Sequence, residues 1–327
     1  VEKLNNIKHA RDWMSETDEM FSKRGLAPEM PIKSISRLDG FLWGLHRQEM
    51  LVIAARPSNH KSVMAIQIAW DMAKQGRNVY FMSLEMAVPR IIERIFTNEC
   101  LVDNATLWRG AIKNDTIVAD KYALFKEQLS KTKLVLSDMI GRTAQDVKMV
   151  EDAFERHPDV IVIDHLNEIS GGDNKYQAIE QYLGKIREMA IRRNVALVVC
   201  SQVNRSSRMD DDKKPQLHQI KGSGSIEEKA DCCIMLHYPY FYDKSENINE
   251  LQVIVAKNRY GATGHAKLYV HPQYSRISDD GSVFRNERVD INVAGSDTER
   301  GTESNGSGQV VECPSNPSKP DEIKWEE

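Results

Sequence analysis

The five cysteines, Cys100, Cys200, Cys232, Cys233 and Cys313, contain no C-x-x-C pair, and their number is odd. That excludes a thiolate zinc module and a disulfide framework, and it fits a reduced, cytoplasmic setting. Cys200, Cys232 and Cys233 lie in apolar runs and read as small buried hydrophobes. No apolar run approaches the roughly 20 residues of a bilayer span, so no membrane contact is expected. Positive charge is not in surplus either. A net charge of −4 excludes a surface coated in basic residues for nucleic acid, while leaving room for a local patch or a channel. The opening Val1-Glu2-Lys3-Leu4 has neither a Met nor an apolar signal core. It reads as a fragment or a processed chain, with a domain expected upstream.

The balance that is present, 41% hydrophobic and 28% charged over 327 residues, is that of a soluble globular protein of one large or two ordinary domains. Residues 1–30 are polar and helix-prone. Ile7, Ala10, Trp13 and Met14 recur at helical spacing, which fits a surface helix or an arm that docks on another subunit. Met30-Pro31-Ile32 ends that pattern. From about residue 50, apolar runs alternate with amphipathic stretches such as Val63–Gln75 and Ile179–Arg193. The runs are Met50–Ala54, Asn78–Ser83, Leu134–Ser137, Val160–Asp164, Ala196–Ser201, Cys232–His237, Gln252–Val255 and Ala266–Val270. Near-continuous Val/Ile/Leu runs between helices predict an α/β fold with a twisted, mostly parallel central sheet flanked by helices. The last two runs, joined by a segment containing Gly261 and Gly264, predict an antiparallel hairpin at one sheet edge. After about residue 285 apolar runs vanish. Residues 286–327 are expected to form a disordered acidic tail.

The strongest chemical signal is Ala55-Arg56-Pro57-Ser58-Asn59-His60-Lys61-Ser62, placed between an apolar strand and an amphipathic helix. That is the setting of a phosphate-binding loop, in which backbone N–H groups and the helix N-terminus face the phosphates. Lys61 would reach the β- and γ-phosphates, and the Ser62 hydroxyl would hold Mg²⁺. The pattern departs from the usual one at Ala55 and His60, where glycine normally stands. By the motif alone, a plain strand–turn–helix with a surface lysine competes. Asp164 ends an apolar strand, where a carboxylate can support the Mg²⁺ shell. Glu85 follows another strand and can orient and deprotonate an attacking water; a carboxylate answering a helix dipole is the alternative. Gln202 ends a third strand and can contact a γ-phosphate, or be a turn residue. Lys257 and Arg259, one residue apart, can stabilise charge in a neighbouring subunit's site, worth up to ~10³-fold or more for an arginine finger. They can equally be charges protecting an edge strand.

Together these segments resemble the motor domain of the DnaB family of replicative helicases, which share the RecA-like P-loop NTPase fold. The resemblance covers roughly residues 30–275. It rests on Ala54–Ser58 before Lys61-Ser62, Ser83–Met86, Ile163–Leu166, Ser201–Arg205, Gly222–Glu227 with Ala230-Asp231, and Ala256–Arg259. Ala at position 55 is common in that family, which leaves His60 as the anomaly. The Gly222-Ser223-Gly224 run also resembles the phage primase-helicases and suits a phage origin.

The resemblance implies a motor domain over 31–285 behind a linker helix over 1–30. It implies an NTP-driven, ring-shaped, homo-oligomeric helicase, six subunits in the family, that moves on single-stranded DNA at the replication fork with Mg²⁺ and ATP or another NTP or dNTP. Glu85 is then the base, Lys61 and Ser62 bind triphosphate and Mg²⁺, Asp164 supports Mg²⁺, Gln202 senses the γ-phosphate, and Lys257 and Arg259 act on the next subunit. Arg205, Lys221, Gly222, Ser223 and Gly224 would hold the DNA backbone. A primase, polymerase or loader is an implied partner. Two other readings remain: a ring or filament that hydrolyses poorly and acts as loader or scaffold, which His60 favours, and a RecA-type recombinase.

Overall fold

In the computed structural model, the described residues are 9–23, 27–138, 153–166, 175–203, 214–220, 226 and 228–281. The tail expected over 286–327 and the expected DNA-contacting residues Arg205, Lys221, Gly222, Ser223 and Gly224 lie outside them. Nine strands among the described residues make one sheet: β1 (Met50–Ala55), β2 (Val79–Ser83), β3 (Leu134–Asp138), β4 (Val160–Asp164), β5 (Ala196–Gln202), β6 (Cys232–His237), β7 (Glu250–Asn258), β8 (Gly264–His271) and β9 (Arg276–Ser278). Their spatial order is β3-β2-β4-β5-β1-β6-β7-β8-β9. The first six in that order are mutually parallel; β7, β8 and β9 continue antiparallel. All eight apolar runs are strands.

The six parallel strands need cover on both faces, and alternation along β1 shows how it is supplied. Leu51, Ile53 and Ala55 pack into one core with the helices Lys61–Lys74 and Val88–Cys100. Met50, Val52 and Ala54 pack into a second core, with Ile179, Leu183 and Ile186 of the helix Lys175–Arg193. Side chains alternate across a strand with a period of two, so one apolar run feeds both cores. At the N-terminus a 3₁₀ turn, Ala10–Trp13, leads into the helix Met14–Lys23, which presents Met14 and Phe21 to solvent.

The predicted hairpin is β7–β8, but β9 lies outside it and forms the edge. Three residues are too short for a periodic signal, which is why the sequence shows no ninth strand. The outer side of β9 is closed by a side chain acting as a strand. Gln67, buried in the Lys61–Lys74 helix, donates to the Ile277 carbonyl at 2.7 Å and accepts from the Ile277 N–H at 2.9 Å. Asn98 steadies this amide, donating to Gln67 Oε1 at 3.1 Å and to the Ser275 carbonyl at 2.8 Å. The pairing covers an otherwise open edge.

Replacing Gln67 by Leu keeps the volume close to constant but strands the Ile277 amide and carbonyl. A loss of ~2–4 kcal/mol in urea unfolding is expected, from two buried polar groups left without partners. A midpoint matching wild type would show that β9 does not depend on this amide.

Candidate nucleotide-binding site

Because β1, β2, β4 and β5 run in one direction, their carboxyl ends share one edge of the sheet. The register fixes the neighbours. Ala55 lies opposite Gln202, and Ser83 lies opposite Asp164. Backbone bonds tie these ends together: Leu84 N–H donates to the Asp164 carbonyl at 2.6 Å, and Val203 N–H to the Ala55 carbonyl at 2.9 Å. Ligand crevices in open parallel sheets form at such an edge.

The loop between β1 and the Lys61–Lys74 helix turns through two residues in the left-handed region, Ser58 at φ 63° and His60 at φ 60°. Alternation of this kind makes N–H groups converge on one side, and the first helical N–H groups have no intrahelical acceptor. The loop is anchored by Asn59, which is buried. Its Oδ1 accepts from Tyr238 N–H at 2.8 Å, and its Nδ2 donates to the Pro57 carbonyl at 2.9 Å.

The structure places the two departures from the glycine pattern. Ala55 is fully buried in the sheet, where its methyl packs into the core. His60 occupies the helix N-cap at a φ that glycine adopts freely, and a side chain there carries a modest strain cost. Its ring packs edge-on against Tyr238, centroids 4.7 Å apart. It also borders a cavity of about 450 Å³ shared with Met86, Arg90, Arg94 and Trp108. Burial, aided by the Arg94 charge, lowers the His60 pKa from 6.5 to about 4, so the imidazole is neutral at physiological pH.

Lys61 and Asp164 meet directly, with Nζ donating to Oδ1 at 2.6 Å. The Asp164 side chain is 1% exposed and that of Lys61 11%. Burial opposes both charges, yet the groups around them outweigh it: the carboxyl is held below its ordinary range, chiefly by Lys61, and the ammonium above by the acidic groups around it, Cys200, Asp164 and Glu85. The Ser62 side chain hydrogen-bonds the same carboxylate. Beside it, burial drives the Cys200 thiol well above its usual pKa, so it stays a neutral neighbour. Glu85 follows β2, half-exposed, with Oε2 3.1 Å from His165 Nδ1. Ser83 Oγ accepts from Met86 N–H at 2.9 Å and shapes the turn that carries Glu85. The arrangement holds a lysine, a hydroxyl, a buried carboxylate, an exposed carboxylate and an amide around the mouth of a helix. That set can bind a polyphosphate and present a water to it.

Lys257 and Arg259 are elsewhere. β7 runs antiparallel to β6, so its end, Asn258, pairs with Cys232 at the start of β6. The start of β6 is the amino end of the parallel strands, the full length of β1 away from Lys61, or roughly 15–20 Å.

The family model for the DnaB-like helicase C-terminal domain matches residues 32–279. The chain belongs to this family. It is 28% identical over 250 residues to the replicative DNA helicase DnaB of Geobacillus stearothermophilus, covering 74% of the chain and 55% of that protein. It is 30% identical over 226 residues to a probable plasmid replicative DNA helicase of Chlamydia psittaci, covering 67% and 48%. The chain thus spans about half the length of such relatives. Among solved structures it is similar to the ATPase domain of G40P, with TM-score 0.74, 23% identity, and coverage of 82% of the chain and 97% of that domain. It is also similar to a DnaB-like replicative helicase studied for its interactions with primase, with TM-score 0.73, 25% identity, and coverage of 84% and 68%. The RecA-like α/β architecture is therefore shared.

Within this DnaB-like domain the site includes two residues that the sequence reading did not single out. Arg94, one face along the Val88–Cys100 helix, is half-buried and feels the charges of Asp164, Glu85 and Glu93. His165, 4% exposed, backs Glu85. Arg94 follows Glu85 by nine residues, and only the packing of its helix turns it toward the site. His165 adjoins Asp164 in the sequence, which could have drawn attention to it.

Exchanging His60 for Asn keeps a residue that tolerates the left-handed region but removes the titrating ring. A folded-state pKa of about 4 against an ordinary 6.5 means that the unfolded chain takes up this proton first. Wild type should therefore lose stability as pH falls from 6.5 toward 4, by up to ~3 kcal/mol relative to His60→Asn. Parallel pH profiles of urea midpoints for the two proteins would contradict this.

Proposed function

We propose that the protein is the motor of a ring-shaped replicative DNA helicase, hydrolysing ATP between head-to-tail subunits and translocating on single-stranded DNA. One observation carries this reading: the nucleotide-site residues and the Lys257–Arg259 pair sit at opposite edges of the same sheet. A cation at the amino edge cannot reach its own loop. It can reach the loop of a neighbour stacked in the same orientation, and repeating that contact generates a ring when the rotation between neighbours closes.

In this reading Lys61 leaves Asp164 for the β- and γ-phosphates. Asp164 and the Ser62 hydroxyl are then free to face Mg²⁺. One buried carboxylate and one hydroxyl suit a Mg²⁺ held mostly by phosphate and water, and the described residues contain no cluster of three or more acidic, His or Cys ligands. When bound, Mg²⁺ supplies charge neutralisation of the phosphates. Glu85, oriented by His165, accepts the proton from the attacking water as its oxygen bonds to the γ-phosphorus and the bond to the β-phosphate oxygen breaks. Gln202 and Arg94 contact the γ-phosphoryl group, and the neighbour's Arg259, with Lys257, balances charge in the transition state.

The helix Met14–Lys23, with Met14 and Phe21 exposed, fits a linker arm over 1–30 that docks on the next subunit; 31–285 is then the motor and 286–327 an acidic tail. Arg205, Lys221, Gly222, Ser223 and Gly224 fit a backbone grip on DNA. A primase, polymerase or loader fits as a further partner. No described helix is long and apolar enough to cross a membrane. The weakly hydrolysing alternative draws on His60, and turnover of the assembled protein decides between the two readings.

Lys61→Ala should abolish hydrolysis. Glu85→Gln should retain ATP binding and lower turnover by ~10²-fold or more. Single-stranded DNA should stimulate wild-type hydrolysis, and the protein should unwind a forked duplex. Hydrolysis indifferent to DNA, with no unwinding by the assembled protein, would defeat the helicase reading. Unchanged turnover in Glu85→Gln would remove Glu85 from the mechanism.

A further inference from the structure

Asp231 is 2% exposed and stands immediately before β6. Its carboxylate is shared by two guanidinium groups. Arg187 donates from Nη1 to Oδ2 at 2.5 Å and from Nη2 to Oδ1 at 2.9 Å. Arg259 donates from Nη1 to the same Oδ1 at 2.9 Å. The Met50 N–H fills the remaining position on Oδ2 at 2.8 Å. The backbone of Arg259 is fixed as well, its N–H reaching the Asp231 carbonyl at 2.9 Å, while its Nη2 reaches the Glu228 carbonyl at 2.8 Å.

At this carboxylate one negative charge meets two guanidinium groups. The Arg187 side chain is 18% exposed and makes the two-pronged contact that neutralises a carboxylate best. Arg259 is 41% exposed and touches the carboxylate through one nitrogen. Arg259 is therefore the more exposed and the less fully paired of the two. Two arginines give a cation whose base is held and whose charge is still available to an anion.

Resting on the trans-acting reading of Arg259, we propose that Asp231 is a positioning residue for that arginine. Arg187 neutralises the carboxylate, and the carboxylate holds the Arg259 guanidinium in the direction of the neighbouring subunit's triphosphate. Asp231 itself touches no nucleotide. Through Met50 it also ties the base of Arg259 to the strand that ends in the subunit's own phosphate loop, since Asp231 N–H donates to the Met50 carbonyl at 3.0 Å.

The test uses the full chain assembled with ATP and single-stranded DNA, with turnover and KM measured for Asp231→Asn and Arg259→Ala, each alone and mixed with Glu85→Gln. Asp231→Asn should keep the KM for ATP within about twofold while kcat falls ~10-fold or more, toward the loss expected for a missing finger. Glu85→Gln subunits have a dead site but an intact Arg259. Adding them should raise the turnover of Asp231→Asn above that of either homogeneous assembly. A merely structural aspartate would damage its own site, and mixing would restore nothing.

Wild-type kcat in Asp231→Asn overturns the proposal. So does a fall that Glu85→Gln fails to rescue under mixing that does rescue Arg259→Ala. If Arg259→Ala itself is not rescued, the trans reading falls and the proposal with it. Should Asp231→Asn not fold, Arg187→Gln carries the same test. With Arg187 gone, the carboxylate pairs one-to-one with Arg259 and holds it back, so kcat should drop and be rescued by the same mixing. Wild-type kcat there also overturns it.

Discussion

Six strands that run the same way decide most of what this protein can do. A parallel sheet has two unlike edges. The carboxyl ends of β1, β2, β4 and β5 deliver the candidate phosphate loop, Glu85, Asp164 and Gln202 to one edge. The amino end of β6, with the returning end of β7, delivers Asp231 and Arg259 to the other. No side-chain contact could bring these two sets together within one subunit. Strand polarity alone separates the two sets of charged residues, and in the proposed ring each set would be half of a site that head-to-tail assembly completes.

Electrostatics at the two edges follow one pattern. At each, a carboxylate nearly removed from water is held ionised by a cation close by: Asp164 by Lys61, Asp231 by Arg187. Breaking such a pair on one side leaves a buried charge, at a cost of ~3–5 kcal/mol. The partners differ in what they leave over. Lys61 and Asp164 cancel, and a polyphosphate with its cation can offer each a new partner. Around Asp231 an extra guanidinium remains, and it is the one at the surface.

The loop shows how a departure from a motif is absorbed. Glycine is favoured where φ is positive, and His60 stands at such a position. The strain is set against the packing of its ring on Tyr238, which shares a backbone-to-side-chain bond with Asn59. The aromatic segment after β6 is therefore part of the loop's architecture. Nothing in the loop's own sequence announces that support.

The sequence by itself determined the strands, because a buried parallel strand must be an unbroken apolar run, and it marked Lys61, Ser62, Glu85, Asp164 and Gln202, because each follows such a run. It marked Lys257 and Arg259 by their spacing. It could not show β9, three residues long, or Gln67 standing in as that strand's neighbour. Nor could it show that Arg94 faces the site, that the His60 ring lies on Tyr238, or that Arg187 and Arg259 share Asp231. Those depend on which strands lie side by side and how far each is shifted along its neighbour. Order and register are fixed by the packing of two cores at once, which no local stretch of sequence contains.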